Sequence, residues 1–253
     1  MLNTQLVIKE DRISTYRDPV GFCFAKWFDE PFAIDILNSI DYRNFKFVAA
    51  DDNDDRNHID IYASNGNETI TIDCKIMSHN FSYNNGNENK NLKLSYDDVL
   101  TIGEYVLTSK TDYIMFIRRD EIILSKLSDI RDKVTPFITK EKSKNMGGSV
   151  QTLYNYKVKD LQNLFSTQII KIPQDKADLY FDAYKEYEHL RMIVRDMMLN
   201  RVLTNEKKSE MKIVYLNELK NKLIGYIEKY NNIYVEIPKI DNTDDLLNDI
   251  YNL

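Results

Sequence analysis

Apolar and polar residues alternate along two neighbouring stretches of the chain, 58–63 and 68–76, and this period predicts two β-strands. In the second stretch the apolar residues fall on one face, while Asp73 and Lys75 fall on the other. The stretches are joined through Asn65-Gly66, and an Asn-Gly pair between alternating segments is a strong signal for a tight turn. The pattern therefore predicts a β-hairpin.

Folding the chain about this turn places Asp60 of the first strand near the level of residues 71–73 on the second. Asp60, Asp73 and Lys75 are thus expected to cluster. Two adjacent carboxylates resist joint ionisation, and a divalent cation removes that penalty. Magnesium typically takes one or two carboxylates and keeps several waters. The hairpin is therefore a candidate magnesium site for phosphodiester hydrolysis, in which Lys75 orients water or stabilises negative charge. The alternative is an edge hairpin with an ordinary solvated polar face.

These residues resemble the PD-(D/E)XK nuclease superfamily, which includes many restriction endonucleases. The resemblance implies that Asp60 is the first metal-binding acid and that Asp73-Cys74-Lys75 is the (D/E)XK element, with the carbonyl of Cys74 as a further ligand. Ile59 replaces the proline that names the motif. The implied activity is Mg²⁺-dependent cleavage of double-stranded DNA, with Mn²⁺ able to substitute, by a homodimer.

Two helix signals precede the hairpin. Asp18-Pro19 is typical of an N-cap followed by proline in the first turn. Asp29-Glu30-Pro31 repeats this start signal and predicts a second helical piece from Pro31 to Ile40. The resembled family often takes an extra acid from this region, which makes Glu30 a candidate catalytic residue. The alternative is that Asp29 and Glu30 only favour a helix N-terminus.

The remaining elements of the first two thirds predict an α/β (α+β) fold with a mixed sheet. Strands are expected over 45–50, 113–117 and 122–127, and a helix that opens near Ser95 is expected to run through Leu107. With the first helix and the hairpin, this order matches the αβββαβ core of the resembled nucleases, which would cover roughly Pro19 to Pro173.

A polar segment, 51–57, separates the first strand from the hairpin. Its aspartates superficially match a calcium loop, but Arg56 stands where an EF-hand needs glycine and Tyr62 where it needs a bidentate acid. A solvated turn is therefore expected. Asp54 or Asp55 stays open as an alternative first metal ligand.

A basic segment, about 137–171, is expected to form a loop within the core domain, 1–173. Its candidate DNA-binding residues are Lys140, Lys142, Lys144, Lys157 and Lys159. Lysines that neutralise phosphates near the flexible Gly147-Gly148 pair would suit a DNA-binding arm. A solvated surface loop is the alternative.

The C-terminal region, 174–253, is predicted to begin with two amphipathic helices, Asp175 to Leu203 and about Lys207 to Tyr230. Such a helical hairpin packs on the core, pairs with a second subunit or clasps DNA. The acidic tail from Asp241 is expected to form a short packed helix.

Composition narrows the class of protein. The 253 residues carry a net charge of −6, which argues against a polybasic binder. No apolar stretch is long enough to span a bilayer, and Met1 to Asp11 lacks the apolar core of a signal peptide, so a cytoplasmic protein without membrane contact is expected. Two cysteines make a disulfide framework improbable. Two further functions stay open: a nuclease for branched DNA or RNA, and a non-catalytic interaction protein on a nuclease-like scaffold.

Overall fold

A computed structural model describes residues 1–7, 18–40, 42–51, 58–76, 99–103, 107–118, 120–144 and 150–233. These ranges form an α+β structure, as the sequence predicts. The helices are α1 (Pro19–Phe24), α2 (Glu30–Ser39), α3 (Leu127–Asp129), α4 (Val158–Gln162), α5 (Gln174–Leu199) and α6 (Asn205–Asn231), with π-helical turns at Ala25–Asp29 and Ile130–Val134 and 3-10 turns at Tyr42–Asn44 and Thr135–Phe137. The strands are β1 (Lys46–Ala49), β2 (Ile61–Ser64), β3 (Thr69–Ile76), β4 (Val99–Gly103), β5 (Tyr113–Ile117), β6 (Glu121–Lys126), β7 (Thr139–Lys144), β8 (Val150–Lys157) and β9 (Gln168–Lys171).

The larger sheet has six described strands in the order β1-β2-β3-β5-β6-β9. All neighbours are antiparallel except β3 and β5, which are parallel. A parallel pair requires a crossover connection, here through residues 77–112, which are described only in part. The strands predicted over 45–50, 113–117 and 122–127 are confirmed, as is the hairpin of β2 and β3.

The hairpin turn depends on the backbone freedom of Gly66, which has φ +86. A Cβ at Gly66 would meet no atom within 4 Å, so replacement by alanine adds backbone strain without a steric clash. We expect Gly66→Ala to lower the free energy of unfolding by about 1 kcal/mol in urea denaturation. Gly225→Ala in α6 is the matched control: its Cβ also meets nothing, and alanine should instead stabilise the helix by about 0.5–1 kcal/mol. Equal effects of the two changes would contradict the argument.

The smaller sheet shows that two predictions from the sequence are wrong. Residues 99–103 form β4 and not the predicted helix, because their β-branched side chains suit an extended chain and their backbone pairs with β8. The basic segment is not a loop: its first lysines lie on β7, which pairs with β8. Residues 95–98 and 104–106, Gly147-Gly148, the loop over 52–57 with Asp54 and Asp55, and the C-terminal tail all lie outside the described residues.

The central strands of the larger sheet are buried on both faces. One face packs under the helices, where Ile72, Cys74 and Met115 join a core shared with α1, α2, α5 and α6. On the other face, Ile114 and Phe116 join a second core with the smaller sheet, α3 and α4. Strands at this depth lose the simple alternation of buried and exposed residues. Asp73 is consequently buried although the pattern predicts a polar face.

The two long helices agree with the sequence prediction to within a few residues. Their buried stripes, which include Tyr180, Tyr187, Leu216 and Leu223, belong to the core that α1 and α2 also share. The described part of the C-terminal region is therefore not a separate hydrophobic unit. No helix among the described residues is both long and apolar enough to cross a membrane.

Candidate active site

One helical run, 19–39, carries three of the side chains that surround the hairpin carboxylates. Asp18 caps it by accepting a hydrogen bond from the Gly21 N–H over 2.9 Å. The run widens into a π-helical turn where the Glu30 N–H donates to the Ala25 carbonyl. Pro31, one residue later, has no N–H to continue the ordinary pattern, which explains why the helix widens at this point.

The predicted second helical piece, Pro31 to Ile40, is confirmed as α2, but the π-helical turn joins it to α1 without a break. The helical run is continuous, and the Asp29 side chain makes no cap hydrogen bond. Asp29 and Glu30 are instead buried, on the side of the helix that faces the sheet. A carboxylate does not enter an interior to favour a helix dipole alone, since burial without a partner is costly. Glu30 lies within the predicted cluster, because the Lys26 ammonium contacts both Glu30 and Asp60.

Asp60 is fixed to the (D/E)XK-like segment by two hydrogen bonds. Its N–H donates to the Ile72 carbonyl over 3.0 Å, and its Oδ2 accepts from the Cys74 N–H over 2.8 Å. Burial alone would raise the pKa of Asp60, but the nearby Lys75 and Lys26 ammonium groups and the Cys74 N–H together hold it below its ordinary value. Asp60 is thus the ionised acid of the cluster.

Asp73 lies beside Asp60 and behaves in the opposite way. It is 0% exposed, and burial raises its pKa to about 7, with the negative charge of Asp60 acting in the same direction. Its carboxylate is in ion-pair contact with Lys75. Within the described part of the chain, no donor makes a hydrogen bond of normal geometry to either Asp73 oxygen. The Lys75 ammonium therefore offsets the charge of this buried carboxylate.

Lys26 links the helix to the hairpin. Its ammonium lies 2.9 Å from Glu30 Oε1 and 3.2 Å from Asp60 Oδ1. Burial raises the pKa of Glu30 to about 8, and the charge of Asp60 adds to this, while Lys26 opposes it. The sequence analysis missed Lys26. Its spacing of four residues from Glu30 is the signal that could have pointed to it.

Asp29 belongs to a second group of buried side chains next to the hairpin. Its Oδ1 accepts a short hydrogen bond from the Tyr180 hydroxyl of α5, and its Oδ2 accepts from the Cys74 Sγ over 3.6 Å. Burial raises the pKa of Asp29 to about 7, against the lowering effect of these two donors. Asp29 and Tyr180 thereby connect α5 to the middle residue of the Asp73-Cys74-Lys75 element.

The structure brings together Glu30, Asp60, Asp73, Cys74 and Lys75. The candidate DNA-binding lysines are elsewhere: Lys140, Lys142 and Lys144 lie on β7, and Lys157 and Lys159, which are exposed, lie at the end of β8 and in α4.

The cluster fits a magnesium ion held through two carboxylates. No group of three or more His, Cys, Asp or Glu side chains in the described residues has the arrangement of a metal cage. Magnesium does not need one, because it commonly binds through one or two carboxylates and retains waters. Asp60 and Asp73 supply such a pair, and Lys75 would share Asp73 with the ion. The Cys74 carbonyl is the third ligand that the family resemblance implies.

The chain matches no protein-family model, no curated protein and no solved structure. Its function is therefore inferred from the geometry of its own residues.

A substitution at Tyr180 tests whether its hydroxyl stabilises the buried Asp29 carboxylate. We expect Tyr180→Phe to lower the free energy of unfolding by about 1–3 kcal/mol at pH 8, because it leaves the buried Asp29 carboxylate without the hydroxyl that donates to it. A double-mutant cycle with Asp29→Asn tests the contribution of the charge: because a hydrogen bond to a neutral amide is weaker, the effect of Tyr180→Phe should fall below about 1 kcal/mol in that background. An equal effect in both backgrounds in urea denaturation would show that the charge of Asp29 is not what the hydroxyl stabilises.

Proposed function

We propose that this chain is a magnesium-dependent endonuclease that hydrolyses phosphodiester bonds of double-stranded DNA and is similar to the PD-(D/E)XK nucleases. The observation that carries the proposal is the pair of buried, adjacent carboxyls on β3 and just before β2, with Lys75 in ion-pair contact with one of them. A structural hairpin has no need to bury two acids side by side, because each raises the cost of ionising the other.

The roles of the residues follow from their positions. Asp60 and Asp73, with the Cys74 carbonyl, would hold the ion. When bound, a divalent ion polarises a phosphoryl oxygen and lowers the pKa of a water. Lys75 would position the attacking water and face the negative charge that develops on the phosphate. Glu30 would be an additional acid of the site, paired with Lys26.

The smaller sheet is on the same side of the larger sheet as Asp73. Asp73 is in register with Ile114 of β5, and neighbours in register share a face of the sheet. Ile114 packs in the core that contains Tyr154 and Tyr156 of β8. The sheet that carries β7 and its three lysines therefore lies on the face from which Asp73 projects. Lysines on that sheet would contact phosphates without reading sequence.

A second candidate, a non-catalytic interaction protein on this scaffold, is favoured by one observation. The Lys26 and Lys75 ammonium groups already pair with Glu30, Asp60 and Asp73, so the acids have cations without any metal. A chain that has lost catalysis would keep such an internally neutralised cluster.

The homodimer stays a proposal that follows from two-strand cleavage. A two-fold symmetric protein matches a palindromic site, so each subunit would cut one strand. Sedimentation of the chain with and without duplex DNA measures its mass directly.

The test is cleavage of supercoiled plasmid and genomic DNA with Mg²⁺ or Mn²⁺, with branched DNA and RNA as parallel substrates and a chelator as control. Metal-dependent cleavage of duplex DNA that the chelator stops is the expected result. Faster cleavage of branched DNA or RNA would show that linear duplex DNA is not the preferred substrate, while metal-dependent phosphodiester hydrolysis would still stand. No cleavage of any substrate, together with no metal binding, would establish the non-catalytic candidate.

A further inference from the structure

Three acids of the site share two built-in cations. Lys75 pairs with Asp73, while Lys26 bridges Glu30 and Asp60. If all are ionised, three negative charges meet two positive ones, which leaves a net charge of −1 before any ion binds. A site with this balance attracts one divalent ion far more readily than two.

Lys26 occupies the position that a second ion would need. Many phosphoryl-transfer sites hold two metal ions about 3.5–4 Å apart, which share carboxylate ligands. Here Asp60 is the acid placed to be shared, since its Oδ2 faces the Cys74 N–H and its Oδ1 faces Lys26. Glu30 would be the second ion's other acid, and its oxygen lies 2.9 Å from the same ammonium.

The surroundings hold Lys26 in that place. The exposed fraction of its side chain is 20%, and those of Glu30 and Asp60 are 4% and 10%. Removing one member of such an enclosed pair leaves an uncompensated buried charge, so the ammonium is not readily released to solvent. By contrast, Lys75, the cation that contacts Asp73, has a side chain that is 30% exposed, so it can move aside more readily than Lys26 when an ion binds at Asp73.

We propose that Lys26 is a built-in cation that takes the place of a second metal ion, so that the site binds a single divalent ion through Asp60 and Asp73. This inference rests on the proposed function and specifies its metal stoichiometry. An ammonium is a compact point charge, so it can neutralise Glu30 and Asp60 and can face a negatively charged phosphate. It cannot lower the pKa of a water as a metal ion does.

The test counts bound Mn²⁺ per chain by calorimetry and by the electron paramagnetic resonance signal of free Mn²⁺, at pH 8 and without DNA. The wild-type chain is expected to bind one ion, and Asp73→Asn none. Lys26→Met, which keeps an unbranched side chain one atom shorter and removes its charge, is expected to bind two. Lys26→Arg keeps the charge and should bind one.

A double variant tests whether the second ion depends on Glu30. Lys26→Met combined with Glu30→Gln should return the count to one, because the second ion would lose an acid. If Lys26→Met does not fold, as judged by circular dichroism, Lys26→Gln replaces it.

The outcomes separate the two proposals. A wild-type chain that binds no Mn²⁺ would overturn the metal site and the proposed function with it. Two ions in the wild type, or a single ion in the folded Lys26 variant, would overturn only the role of Lys26.

Discussion

Replacing Asp73 by asparagine is expected to lower the rate of metal-dependent DNA cleavage by about a thousandfold or more, which is roughly 4 kcal/mol of transition-state stabilisation. Asparagine keeps the shape of the side chain and removes the charge that attracts the ion. The fold should survive, because Asp73 is buried with its pKa raised to about 7 and ionises at a cost to stability. The variant should therefore melt at an equal or higher temperature than the wild-type chain at pH 8.

The control is Asp132→Asn, which removes the same charge from an exposed position. It should leave the cleavage rate within about twofold of wild type, as surface changes usually do. Initial rates with Mg²⁺ and a thermal melt of each variant give both quantities. Wild-type rates in a folded Asp73→Asn chain would show that cleavage occurs at another site.

The second large effect is a loss of stability as pH rises, caused by Asp29. Burial raises the pKa of Asp29 from 3.8 to about 7 in the folded chain, so the folded state binds its proton more tightly than the unfolded state does. The stability that this proton contributes is fully present below about pH 4 and is lost as pH rises towards 7. A pKa that is higher by about 3 in the folded state corresponds to roughly 4 kcal/mol.

Asp29→Asn should therefore gain stability relative to the wild-type chain as pH increases. The difference in the free energy of unfolding is expected to be small near pH 4 and to approach ~4 kcal/mol at pH 8. Asparagine can still accept the Tyr180 hydrogen bond, so the gain is not offset by a lost partner. Urea denaturation between pH 4 and pH 8 measures the difference.

Asp182→Asn, on the exposed side of α5, is the control that removes a carboxylate from the surface. Metal-free buffers are required, because an ion bound at Asp73 would change the field at Asp29. A difference between Asp29→Asn and the wild-type chain that stays constant across this pH range would contradict a raised pKa.

Local features of the chain are what the sequence predicts well here. The alternating pattern with Asn65-Gly66 predicts the hairpin, and Asp18-Pro19 predicts the start of α1. The apolar stripes of α5 and α6 are read from the same kind of short-range period. Each of these depends on neighbours within a few residues, where backbone sterics and side-chain direction decide the outcome.

Residues 99–103 show where local reasoning fails. Their apolar spacing fits a helix as well as a strand, and the pairing with β8 decides for the strand. That partner lies about fifty residues further along the chain. A short segment with mixed signals adopts the conformation that its tertiary contacts stabilise, because propensities differ by less than these contacts contribute.

The candidate site divides in the same way. The clustering of Asp60, Asp73 and Lys75 is predictable from the local pattern, because a tight hairpin fixes its own register. The packing of the helices on the sheet places Lys26 and Glu30 beside Asp60 and brings Tyr180 to Asp29 from 151 residues away. It also decided the pKa values of these acids, since burial and the nearest charges depend on how helices and sheet pack.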